Sequence, residues 1–212
     1  MLGINLDATE YLARFCGELE RLDTASMERW AELIFAAWQH ERFVYVFGNG
    51  GSATTATHIS EDLGKSSLPE EDLLEGRKKR LKILSLTDNV GWISALGNDL
   101  GYEHVFSQQL MNYGRPGDLV IAISGSGNSG NVLRAVDWAN DNGLTTFGLT
   151  GFDGGKLRRI ARYGLHVPLR DMGMVESIHL TVFHWVLNDV FARINGEGRY
   201  ALAQAETAVG LR

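Results

Sequence analysis

Apolar and polar positions change period repeatedly along this chain. Between residues 7 and 22, Leu12, Phe15, Cys16, Leu19 and Leu22 recur at helical spacing; between 25 and 40, Trp30, Leu33, Ile34 and Trp38 do the same. Both stretches predict amphipathic helices. Short β-branched and aromatic runs follow at Phe43–Phe47, Lys82–Leu86, Asp118–Ile123, Thr145–Leu149 and Gly164–Val167, and each predicts a strand. Helical patterns fall at 53–63, 89–97, 103–112, 129–141 and 154–162, and a long last helix is predicted over about 174–194. Residues 64–80 read as a loop, with Pro69, an acidic cluster (Glu70, Glu71, Asp72, Glu75) and a basic one from Arg77 to Arg80.

Strands that alternate with helices predict an α/β fold with a parallel sheet covered on both faces. No composition break, linker or repeat divides the chain, so the expectation is one domain over 1–212: an N-terminal helical pair (1–40) and an α/β core (41–212). Ligands of such sheets bind beyond the carboxyl ends of the strands, where strand order reverses.

Composition narrows the function. The formal net charge of −6 carries no basic footprint for nucleic acid. No run approaches the ~20 apolar residues of a membrane span, and the first residues lack a positive region, so neither a membrane nor a signal peptide is expected. The single cysteine, Cys16, fits a reducing, cytoplasmic setting.

The candidate chemistry sits in two loops. Gly48-Asn49-Gly50-Gly51-Ser52 and Ser124-Gly125-Ser126-Gly127-Asn128-Ser129 each end a strand and open a helix. Backbone N–H groups and the positive helix end make such a junction an anion site. The first loop lacks the third glycine of the dinucleotide fingerprint and the lysine of a P-loop. In the second, Ser124, Ser126 and Ser129 exceed what helix capping requires, and several hydroxyls around one helix start suit a phosphate monoester. Farther on, His58 and Asp62 lie four apart and share a helix face; Glu176 and His184 lie eight apart, on one side over two turns. His179, between Ile178 and Leu180, reads equally as a buried histidine, and Lys65 with Arg77–Arg80 as a solvated loop.

The order Gly-Asn-Gly-Gly-Ser, Gly97-Asn98-Asp99, Ser-x-Ser-Gly-Asn-Ser and Leu149-Thr150-Gly151-Phe152-Asp153-Gly154-Gly155 resembles the sugar isomerase (SIS) domain family, in its phosphoheptose isomerase branch. The resemblance implies a three-layer αβα sandwich on a five-stranded parallel, flavodoxin-like sheet, and a homotetramer with active sites between subunits. It implies phosphate binding by Ser124, Ser126 and Ser129 beside Gly125. It also implies sugar contacts from Asn49, Gly50, Gly51, Ser52, Asp99 and Glu176. Asp62 and His184 would be the catalytic pair, and His58, Asp62, Glu176 and His184 a set for Zn2+. The implied reaction converts sedoheptulose 7-phosphate to D-glycero-D-manno-heptose 7-phosphate through an enediolate, which needs a base at carbon and an acid at oxygen.

Four positions depart from the branch pattern. Asp62 stands where Glu is usual and Glu176 where Gln is; Ser66 replaces an Arg, and Gly173 an Asp. All four touch the reacting end rather than the phosphate end. The competing expectation is a non-catalytic SIS protein that binds a phosphosugar or a protein partner; His184, which one such relative lacks, favours the enzyme.

Overall fold

The computed structural model describes residues 2–201. Strands β1 (Phe43–Gly48), β2 (Lys82–Ser85), β3 (Leu119–Ser124), β4 (Thr145–Thr150) and β5 (Tyr163–His166) form one sheet in the order β2-β1-β3-β4-β5. Every neighbouring pair is parallel, with Val46 opposite Ile121 and Ile121 opposite Phe147. Strand order reverses between β1 and β3, so the two small-residue loops leave adjacent strands at the switch point.

The helices are α1 (Ala8–Leu19), α2 (Thr24–Gln39), α3 (Gly51–Lys65), α4 (Val90–Asp99), α5 (Ser107–Tyr113), α6 (Gly130–Asp141), α7 (Leu157–Ile160) and α8 (Met172–Asn195). Period-two alternation in the strands sends their side chains to two separate cores. Val44, Val46, Ile121, Ile123, Phe147 and Leu149 pack under α2, α3 and α8. Tyr45, Phe47, Val120 and Ala122 pack on the opposite face under α5, α6 and α7. These are the three expected layers, and Trp30 of α2, stacked on Phe147 at 5.4 Å, sits deep in the first core.

Two local expectations need correction. In α1 the packed stripe is Tyr11, Phe15 and Leu19, while Leu12 is 62 % exposed and Cys16 is also exposed. Glu18 lies on the same inward stripe, buried and held by Arg14 at 2.6 Å and Arg21 at 3.3 Å. The helix expected over 154–162 shrinks to α7 because Gly154 and Gly155 adopt φ of +85° and +54°, outside the helical region.

Candidate active site

Helix capping separates the two loops from the rest of the molecule. Among the described helices of ten residues or more, Asp7, Asp23, Asn89 and Asp171 cap α1, α2, α4 and α8 through their side chains. Only α3 and α6, the helices that the two loops open, have no side-chain cap. Ser129 occupies the N-cap position of α6, yet its hydroxyl meets Ser124 Oγ at 3.2 Å instead of capping. Ser124 Oγ accepts from the Gly127 N–H at 3.1 Å, and Ser126 is exposed at the loop tip. Hydroxyls and open N–H groups thus converge at one positive helix end, the arrangement that receives a phosphate.

The second loop is held rigidly from behind. Gly151 N–H donates to the Gly125 carbonyl at 2.8 Å, Leu157 N–H to that of Gly127 at 2.9 Å, and Lys156 N–H to Asn128 Oδ1 at 3.1 Å. A Cβ on Gly127, whose φ is +65°, would stand 2.0 Å from the Gly154 carbonyl oxygen, so only glycine fits there. This bracing is the structural use of the Gly151–Gly155 motif.

The candidate reacting groups lie along the seam between α3 and α8. The Glu176 carboxylate of α8 lies against Gly51 at the start of α3, where a Cβ would come within 2.5 Å of Oε1. Two turns on, Asp62 Oδ2 stands 3.0 Å from His58 Nε2 and 3.9 Å from His184 Nε2, with the imidazole centroids 5.3 Å apart. Asp62 is 18 % exposed, whereas His58 and His184 keep about half of their side chains in solvent. Donor atoms from His58, Asp62 and His184 all lie within 4.8 Å of one another. Glu176 stays outside this group because eight residues of helix separate it from His184, ~12 Å along the axis. Ser52, six residues before His58 on α3, lies ~9 Å from it along the axis.

Comparison with known proteins identifies the family. The family model described as "SIS domain" matches residues 9–151. A phosphoheptose isomerase of Akkermansia muciniphila is 34% identical over 92% of this chain and 95% of its own length. That of Rhodospirillum rubrum is 39% identical over 65% of this chain and 69% of its own. The structure of the Neisseria gonorrhoeae phosphoheptose isomerase superposes with a TM-score of 0.75 at 30% identity, covering 84% of this chain and 91% of that one. The chain belongs to the SIS-domain family.

Within this SIS fold, the segment that ends α4 and follows it behaves differently from its motif. Asp99 accepts from its neighbour Asn98 at 2.8 Å and lines a hollow with Asn89, Trp92 and Leu96. The contact from this segment to the first loop comes instead from Tyr102, whose hydroxyl donates to Asn49 Oδ1 at 3.0 Å. Asn131, one residue inside α6, pairs with Asn49 through two reciprocal 2.9 Å hydrogen bonds and so ties the two loops together. Sequence reasoning passed over both residues; the one available signal was the position of Asn131, two residues beyond the Ser-rich motif. His179 is buried in the core, as one of its two readings expected.

Proposed function

We propose that this protein is a phosphoheptose isomerase that interconverts sedoheptulose 7-phosphate and the aldose heptose 7-phosphate. The observation that carries the reading is the α3–α8 seam: an uncapped, hydroxyl-rich anion site at one end and a carboxylate between two imidazoles at the other. Phosphate anchoring at Ser124, Ser126 and Ser129 fixes the sugar, with Asn49, Gly50, Gly51, Ser52, Asp99 and Glu176 along its chain. Asp62 removes a proton from C1 of the ketose while His184 protonates the C2 oxygen, giving an enediol. The C1 hydroxyl then loses its proton as C2 regains one, and the aldose results. His58, 3.0 Å from Asp62, orients the base.

Two nitrogen donors and one oxygen donor in so small a space suit Zn2+ with an open position, so His58, Asp62 and His184 are the residues to hold it. Bound zinc would polarise the carbonyl and favour the developing oxyanion. We further propose one SIS domain throughout, acting in the cytoplasm as a homotetramer. Helix α4 supports the assembly: Ile93 and Leu96 pack on the second core, but Val90 is left 76 % exposed.

The test is turnover of sedoheptulose 7-phosphate in D2O, followed by NMR. Deuterium at C2 of the aldose product is expected. Asp62→Asn and His184→Ala should each lower kcat by about 100-fold or more, and Ser124→Ala should act mainly on KM. Full turnover by both Asp62→Asn and His184→Ala would remove them from the reaction.

A further inference from the structure

The polarity of the Asn49–Asn131 pair is decided by the backbone. The Val132 N–H, one of the open donors at the start of α6, meets the Asn131 side chain at 2.9 Å. A backbone N–H can only donate, so the atom it meets is the carbonyl oxygen Oδ1. Asn131 Nδ2 therefore donates to Asn49 Oδ1, and Asn49 Nδ2 donates back to Asn131 Oδ1, each at 2.9 Å. Asn49 Oδ1 also accepts from the Tyr102 hydroxyl at 3.0 Å, which fills its two lone pairs. Among the described residues, one N–H of Asn49 is left over, together with the lone pairs of the Tyr102 oxygen. Tyr102 is 55 % exposed, so its oxygen is open to a ligand.

A donor and an acceptor on adjacent groups match a hydroxyl, which accepts and donates through one oxygen. We infer that Asn49 and Tyr102 form a hydroxyl-recognition element for the sugar, with Asn131 as the positioning residue that fixes their polarity. This rests on the isomerase reading for the identity of the sugar, but not for the geometry. The pair lies where the first loop meets α6, on the phosphate side of the seam, and Asp62 stands about three turns farther along α3. The hydroxyl it reads is consequently one near the phosphate-bearing carbon, at C5 or C6 of a heptulose 7-phosphate, and not one of the oxygens that react.

Calorimetric titration of the full chain with inorganic phosphate and with sedoheptulose 7-phosphate tests this. Tyr102→Phe keeps the ring and removes only the hydroxyl. The expected result is about tenfold weaker binding of the sugar phosphate, the size of one hydrogen bond to a polar ligand, with inorganic phosphate binding unchanged. KM should rise by a similar factor, more than kcat falls. An analogue deoxygenated at the recognised carbon should lose about tenfold on the wild type and little more on Tyr102→Phe. Equal weakening of phosphate and sugar phosphate would reduce Tyr102 to a structural prop, and no weakening of either would end the proposal. A wild type that binds phosphate but not sedoheptulose 7-phosphate would overturn the isomerase reading instead, and fructose 6-phosphate then serves as the sugar probe for the same comparison.

Discussion

His179 is sealed inside the molecule, and its ring N–H donates to the Thr150 carbonyl across 3.3 Å. Burial pushes its pKa down from 6.5 to about 4; the Thr150 hydrogen bond works against that shift and His166 adds to it. His166, which shares a hydrogen bond with the Thr150 hydroxyl at 3.1 Å, is lowered too, first by burial and then by Arg158. The unfolded chain takes up a proton at His179 near pH 6.5 and the folded chain only near 4. Between those values the unfolded state binds more protons, so stability is complete above about 6.5 and falls as the pH drops. The loss between pH 6.5 and 5 should be about 2 kcal/mol. Urea unfolding over that range should show the slope in the wild type and a flatter one in His179→Gln; equal slopes would mean that this histidine does not set it. At this scale the sequence was informative where spacing carried the signal, as with His58 and Asp62 on one helix face. It was silent on Asn131 and Tyr102, single polar residues whose partners come from distant segments.

Among the elements, the end of α8 is tied down by a compact ion network. Asp189, 6 % exposed, accepts from Arg193 at 2.7 Å, from Tyr200 at 3.0 Å and from Arg199, which also grips Glu28 of α2 at 3.0 Å. Burial opposes the Asp189 charge, but the hydrogen bonds from Arg193, Arg199 and Tyr200 outweigh it and hold the carboxyl below its usual range. Removing one partner of a buried pair typically costs ~3 kcal/mol or more, because the others are left uncompensated. Asp189→Ala should therefore lower the unfolding free energy by about 3 kcal/mol in urea titration, and a change under about 0.5 kcal/mol would show the network to be merely superficial. Element positions were largely legible because the switch between period two and period 3.6 is strong in this chain. The failures are local: an inward stripe in α1 that includes a charged Glu18 and leaves Leu12 outside, and two glycines of positive φ ahead of α7. The register of α8 against α3, which sets Glu176 beside Gly51 and His184 beside Asp62, is a tertiary property that no spacing within either helix encodes.

For the molecule as a whole, the apolar surface on and around α4 and α5 asks for a partner. Val90 is 76 % exposed and Leu100 50 %, with Met111 and Tyr113 also uncovered. Exposed apolar area of this kind marks an association surface. Val90→Glu should reduce the mass seen by light scattering from that of four chains to fewer; a wild type with the mass of one chain would dismiss the tetramer. The strand order was within reach of the sequence once the two loops were taken as neighbours at a switch point, whereas the identity of the helix face left uncovered was not. Helix α8 has a last consequence. It buries nine residues, the most of any described helix, and also carries His184 and Glu176. Many enzymes mount their reacting groups on loops that loosen well before the fold does. Here His184, the proposed acid, and Glu176 ride on the main pillar of the first core, so loss of activity in denaturant should coincide with global unfolding, and the protein should have little access to a folded but inactive state.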